Sequence, residues 1–252
     1  MASPRYTRNI RPEDLQTPSS APPDGKKKWE NFWYYHKWHV LLGAVGLIVA
    51  VMLIYSFCSI VKPDYQITLL SPVSRSSAAL EELEKQFSAF GKDLNGDGKV
   101  IVQVQQYTLA STEKDLQMMN PQINMAGTAQ LQGDAQVGST VIFLTDDFDA
   151  LQKKTEFFTD LNDPYAPFDA ASSTGVYYLP WTSCPPLSQL DMGSVTALDG
   201  QTQLSIEDEF SNTVFCLRLI TGTELENDVY FQQYYADCLE LFQALTGYHI
   251  DL

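Results

Sequence analysis

Two patterns of hydrophobic and polar positions divide the chain. From Val40 to Val61 it runs for 22 residues, VLLGAVGLIVAVMLIYSFCSIV, without a charged side chain. As a helix this stretch measures roughly 33 Å, enough to cross a hydrocarbon core of about 30 Å. A soluble core helix would place a polar residue every third or fourth position, and none occurs between Val40 and Ile54. From Asp64 onward the pattern becomes short apolar strands alternating with amphipathic stripes. Tyr65–Leu70 predicts a strand ended by Pro72, and Ser76–Phe90 an amphipathic helix with Leu80, Leu83, Phe87 and Phe90 on one stripe. Val100–Leu109 is a second strand. Residues 113–136, interrupted by Pro121 and Gly127, predict a helix, and Thr140–Thr145 a fully apolar strand buried on both faces. Phe148–Leu161 predicts a helix, Gly175–Leu179 and Asn212–Ile220 strands, and Tyr230–Leu245 an amphipathic helix. Strands spaced by helices in this way form β-α-β units and place the segment in the α/β class with a parallel sheet.

The flanks of the apolar run orient it. Lys26, Lys27, Lys28 and Lys37 precede it, whereas Lys62 stands alone behind it and is followed by Asp64. By the positive-inside bias the N-terminus is cytoplasmic and the C-terminal domain extracellular. A cleaved signal peptide fits badly, because its apolar region is about 7–15 residues long. A lipid anchor on Cys58 fits badly as well, since Phe57 stands where a small residue is required. The run therefore predicts an uncleaved signal anchor. Trp29, Phe32, Trp33 and His36 fall at i, i+3, i+4 and i+7, an aromatic face suited to the headgroup layer. The expected organisation is a disordered cytoplasmic tail over residues 1–28, an interfacial and transmembrane helix over 29–62, and an extracellular α/β domain over 63–252.

Charge sharpens that division. The 252 residues carry 16 Lys+Arg against 31 Asp+Glu, a net charge of −15. Residues 1–61 hold seven bases and four acids, so residues 62–252 hold nine bases and 27 acids, a balance of −18. A domain this acidic lacks the footprint that phosphate backbones require, and nucleic-acid binding is not expected. Enzymatic constellations are scarce. The external part has one histidine, His249, and no HExxH, CxxC or P-loop pattern, so no catalysis is expected. Cys184, Cys216 and Cys238 allow one internal disulfide, with Cys216 to Cys238 the favoured pairing, or buried thiols.

Three places could carry binding chemistry. Asp93-Leu-Asn95-Gly-Asp97-Gly98 matches the start of a calcium loop, but the twelfth position, normally a bidentate Glu, is Val104. The alternative is a plain turn in which Asn and Gly supply positive φ, with no cofactor and at most weak Ca2+ binding. Asp146, Asp147 and Asp149 follow an apolar strand, where ligands sit in open α/β sheets; Asp147 also stands at the N-cap of the next helix. Tyr177, Tyr178 and Trp181 follow the same logic, although an aromatic in such a strand is more often core.

The order of segments, with Leu144-Thr-Asp-Asp147 ending a strand, Phe158-Thr-Asp-Leu161 ending a helix and Gly175-Val-Tyr-Tyr-Leu-Pro-Trp-Thr-Ser183, resembles the first lobe of the type 2 extracellular solute-binding proteins. These are the ligand-capturing components of bacterial ABC importers. The resemblance covers residues 64–183, about half of the chain, and leaves 69 residues for a second lobe. It implies a compact periplasmic-binding-protein-like (type 2) domain with a reduced second lobe. Its crevice would be lined by Asp146, Asp147, Tyr178 and Trp181, the last resembling the stacking platform of sugar-binding members. The aromatic membrane-proximal stretch and acidic external domain are similar to uncharacterised membrane proteins of Clostridia-type Gram-positive bacteria. The expected function is that of a membrane-anchored extracellular binding protein taking a small-molecule solute. The alternative is an envelope structural or interaction protein that keeps the fold without a pocket and contacts another cell-envelope protein.

Overall fold

A computed structural model describes residues 25–58, 62–166, 175–196 and 203–250, and divides them into two units at Val61 and Lys62. The segment expected to be a tail, residues 1–28, lies outside the described residues except for its last four. Those four open α1 (Gly25–Cys58), a single helix of 34 residues. Within it Phe32–Ser56, 25 residues, is long and apolar enough to cross a membrane. Its aromatic face is ordered: the Trp29 and Phe32 rings stack at 5.9 Å, and Phe32 meets His36 at 4.7 Å.

Beyond the helix, the second unit is a mixed α/β domain. β1 (Tyr65–Ser71), β2 (Val102–Thr108), β3 (Ile142–Thr145), β4 (Leu179–Pro180) and β7 (Val214–Leu217) form one sheet in the order β2-β1-β3-β7-β4. β1 pairs in parallel with β2 and β3, while β7 runs antiparallel between β3 and β4. The sheet is thus not wholly parallel. β5 (Ser194–Thr196) and β6 (Gln203–Ser205) form a separate antiparallel pair, followed by the short α6 (Ile206–Phe210). Alternate residues of each central strand enter different cores. Ile67, Leu69, Ile142, Leu144, Phe215 and Leu217 pack with α2 (Ser77–Ser88) and α7 (Val229–Thr246). Leu70, Phe143 and Cys216 pack on the other side with Phe148 and Leu151 of α5 (Phe148–Thr155). Cover on both faces is why these strands carry no charged side chain.

Several boundaries differ from the periodicity. The helix expected over 113–136 splits into α3 (Glu113–Met118) and α4 (Pro121–Val137), because the Asn120 side chain caps the amide of Gln122 and Pro121 starts the new helix. Gly127 does not interrupt α4. It is the position where the helix touches β2, and a Cβ there would stand 2.3 Å from the Thr108 carbonyl oxygen. The helix after β3 ends at Thr155 instead of Leu161, and Phe158 forms a bridge to Arg218. The strand expected from Gly175 is reduced to β4. Cys184, Cys216 and Cys238 are buried free thiols, so the expected Cys216–Cys238 disulfide is not formed.

Arg218, 2% exposed, forms no ion pair among the described residues. Its guanidinium lies between the Phe157 and Phe231 rings and donates to the carbonyls of Asp134 and Ala135, the last turn of α4. A cation there satisfies orphan carbonyls and meets the negative end of the helix dipole.

Two glycine substitutions in α4 test the contact with β2. Gly127→Ala should lower stability by about 1–3 kcal/mol through overpacking against the Thr108 backbone. Gly133→Ala, with nothing within 4 Å of the new Cβ, should raise it by about 0.5–1 kcal/mol through helix propensity. Denaturant unfolding of the two variants in neutral detergent measures the contrast.

Candidate functional site

The strand order creates a topological switch point. The chain passes from β1 outward to β2, then returns to β3 on the other side of β1, so the connections diverge at the carboxyl ends of β1 and β3. In open α/β sheets that divergence is where ligands enter. Here it is filled by one carboxylate. Asp146, immediately after β3, accepts hydrogen bonds from the Ser71 hydroxyl at the end of β1 (2.5 Å) and the Thr213 hydroxyl before β7 (2.8 Å). Arg75 Nη2, in the turn between β1 and α2, donates to both Asp146 oxygens at 2.8 and 2.7 Å. The two charged side chains are only 13% and 17% exposed.

Local sequence places each member. Ser76 caps α2 by accepting from the Ala79 amide, which fixes the turn that carries Arg75. The Arg75 backbone N–H donates to Gln106 Oε1 on β2, and its guanidinium lies 5.9 Å from the Phe210 ring. Arg75 Nε is buried without a hydrogen-bond partner, a cost offset by the ring face beneath the guanidinium. With Ser71, Thr213 and Arg75 on its oxygens, Asp146 is committed to the protein itself.

The other expected ligand residues are dispersed. Asp147 is the N-cap of α5, its side chain accepting from the Ala150 amide at 3.2 Å. Asp149 sits exposed in the first turn of the same helix, where the dipole favours an acid. Tyr178, 39% exposed, leans on Phe148 with ring centroids 4.8 Å apart. Trp181 belongs to the opposite side of the sheet. It is 5% exposed and stacked on Phe87, Phe210 and Phe215 at 6.2, 5.3 and 5.6 Å. The sheet thus separates Trp181 from Tyr178, which lies beside Phe148, the residue after Asp147. Trp181 is core because the turn after β4 places it on the face that holds Phe87 and Phe215. Two open clefts lie among the described residues of the domain. One, about 360 Å³, lies against Val73, Met118, Met119 and Ile123. The other, about 280 Å³, lies against the edge of Trp181 with Glu207, Asp208 and Ser211.

The Asp93 loop is a self-satisfied turn. Asp93 accepts from the amides of Gly96 and Gly98 at 2.7 and 2.8 Å, Asn95 from Asp97, and Asp97 from Lys99, both at 2.9 Å. Gly96 and Gly98 take φ of 77° and 82°, which only the turn demands. The amide bonds hold the exposed Asp93 carboxyl below its usual range, the Gly98 contact foremost. Among the described residues no group of three or more His, Cys, Asp or Glu side chains could hold a metal ion. Asp93, Asn95 and Asp97 thus direct their side-chain oxygens to backbone amides of the loop itself. Asp64, 4% exposed, completes the loop by accepting from the amides of Leu94, Asn95 and Ile101.

Arg75 and Asp64 are the two residues that periodicity alone did not single out. Both had a signal: a lone cation in the turn after the first strand of an acidic domain, and an acid directly before a strand. No protein-family model, curated protein or solved structure matches the chain.

Removing the Asp146 carboxylate should be a stability lesion. Asp146→Ala is expected to cost about 2–3 kcal/mol, since it leaves Arg75 nearly buried without its counter-charge. The double variant Arg75→Met, Asp146→Leu should recover part of that loss. Unfolding curves that showed Asp146→Ala unchanged would mean the carboxylate is spare for a ligand. The thiols give a second check. Burial pushes Cys184 up to about 11 and Cys216 and Cys238 further above the ordinary thiol range. In a Cys58→Ser background a thiol reagent at pH 8 should leave all three unmodified in the native protein and label all three in denaturant.

Proposed function

We propose that the chain is a single-pass membrane protein whose extracellular domain acts by contacting another component of the cell envelope, without catalysis and without enclosing a solute. The observation that carries this reading is the saturation of Asp146 by Ser71, Arg75 and Thr213 at the switch point. A solute-capturing site keeps convergent polar groups free for its ligand. Here the most favourable position for such a group is spent on tying β1, α2 and β7 together. The placing of Trp181 in the core and of Asp147 in a helix cap supports the same reading.

The wider assignment rests on sequence. The order of motifs over residues 64–183 and the position of β1 between β2 and β3 support descent from a type 2 solute-binding lobe whose crevice has closed. The lysines before the apolar run support a cytoplasmic N-terminus and an extracellular domain. The resemblance to membrane proteins of Clostridia-type bacteria supports a Gram-positive envelope as the setting.

Thermal unfolding of the full chain in neutral detergent, against sugars, amino acids, short peptides and calcium, tests the reading. A ligand at 100 times its dissociation constant adds about 2.7 kcal/mol, a readily measured shift. The expected result is no shift with any organic solute. A shift with one of them would restore solute capture and name the solute class.

A further inference from the structure

The C-terminal part of the domain has an extreme charge pattern. After Lys154 the remaining 98 residues hold 15 Asp+Glu against a single Lys or Arg, Arg218. That guanidinium is 2% exposed and buried between rings, so this part of the chain contributes no Lys or Arg charge to the described surface. Among its described residues, the most exposed large apolar side chains lie where α7 begins. Val229 is 74% and Tyr230 89% exposed, while the next residue, Phe231, turns inward at 7%. A Cβ on Gly138, the left-handed cap of α4, would lie 2.8 Å from both Leu225 and Phe231. The end of α4 is thereby held against the start of α7, and Val137, 75% exposed, is one residue from that contact. Glu224, Glu226 and Asp228 precede the apolar pair directly.

The face is rigid. Asp228 accepts from the amides of Tyr230 and Phe231 at 2.9 and 3.1 Å, and Glu226 from the Gly222 amide at 2.8 Å. Three carboxylates outweigh the partial positive charge of about +0.5 at the α7 N-terminus, so the local field is negative. We propose that the start of α7 docks a lysine- or arginine-rich segment of a partner protein, with an apolar side chain of that segment covering Val229 and Tyr230. Charge selects this occupant. A second copy meeting this face through its own equivalent face would bring an equally acidic surface, and an anionic lipid headgroup would be repelled in the same way. A presented aromatic ring beside fixed charges is the usual form of an interface anchor, because little side-chain freedom is lost on binding.

This inference rests on the interaction reading and is tested separately from it. The full chain in neutral detergent is titrated into fluorescent peptides that alternate Lys with Leu, Lys with Ser, or Glu with Leu, with empty micelles as the blank. The Lys/Leu peptide is expected to bind, the Glu/Leu peptide not, and the Lys/Ser peptide about tenfold more weakly than Lys/Leu. Tyr230→Ser should weaken Lys/Leu binding about tenfold. Glu224→Gln should weaken it less and reduce its salt dependence, and Asp149→Asn should leave it unchanged. Tyr230 and Glu224 are exposed, and a thermal melt shows that each variant remains folded. Absent Lys/Leu binding would overturn the proposal. So would binding that survives Tyr230→Ser or responds equally to Asp149→Asn, since either marks diffuse attraction to an acidic domain. A solute that stabilises the protein overturns the interaction reading itself; failure of the peptides alone overturns only the docking face.

Discussion

A strand that is dry on both faces has no side on which a charge can be left, and β1 and β3 impose that condition on everything around them. Their side chains must be covered by α2 and α7 on one side and by α5 on the other. Their ends must be closed by polar groups that find partners within the protein. Asp146 is the largest consequence of the rule. A carboxylate at the end of a buried strand is costly unless its oxygens are engaged, and Ser71, Arg75 and Thr213 engage them from three separate parts of the chain. The same economy recurs with the opposite sign at Arg218, whose charge is spent on the carbonyls that end α4.

These engagements decide what the domain can still bind. A fold with a switch point has a natural place for a ligand, but the place is useful only while its polar groups are uncommitted. In this chain the carboxylate at that place is consumed in joining strands and helices. The unconsumed chemistry lies on the outer surface, in carboxylates and in a few exposed rings and methyls. Function is accordingly sought on the outside of the domain.

The sequence announced its architecture better than its site. The long apolar helix, the strands at Tyr65 and Thr140 and the final amphipathic helix were legible because burial on one or both faces writes a period into the chain. The antiparallel insertion of β7 was not, since a short apolar strand carries no mark of direction. Asp147 was legible as a cap because it directly precedes the helix. The partnership of Asp146 with Arg75 was not, because the two lie 71 positions apart and meet only when β1 and β3 pair. Trp181 could be placed on either face of the sheet until the register of β4 against β7 was known. The Asp93 motif shows a further limit: acids and glycines at calcium spacing are also what a tight turn needs to bind its own amides.

The clasp at Asp64 also bears on force. Any tension drawn through the polypeptide from the α1 side enters the domain at Lys62, whose carbonyl accepts from Asn95, and at Asp64, which holds three amides of the 94–101 loop. Those bonds stand ahead of the β1 ladder along the chain, so a pull strains the loop before it reaches the central strand. Four hydrogen bonds in series with a turn give a compliant entry to a stiff sheet. A domain tethered in this way can be tugged at its root while the surfaces on its far elements keep their shape.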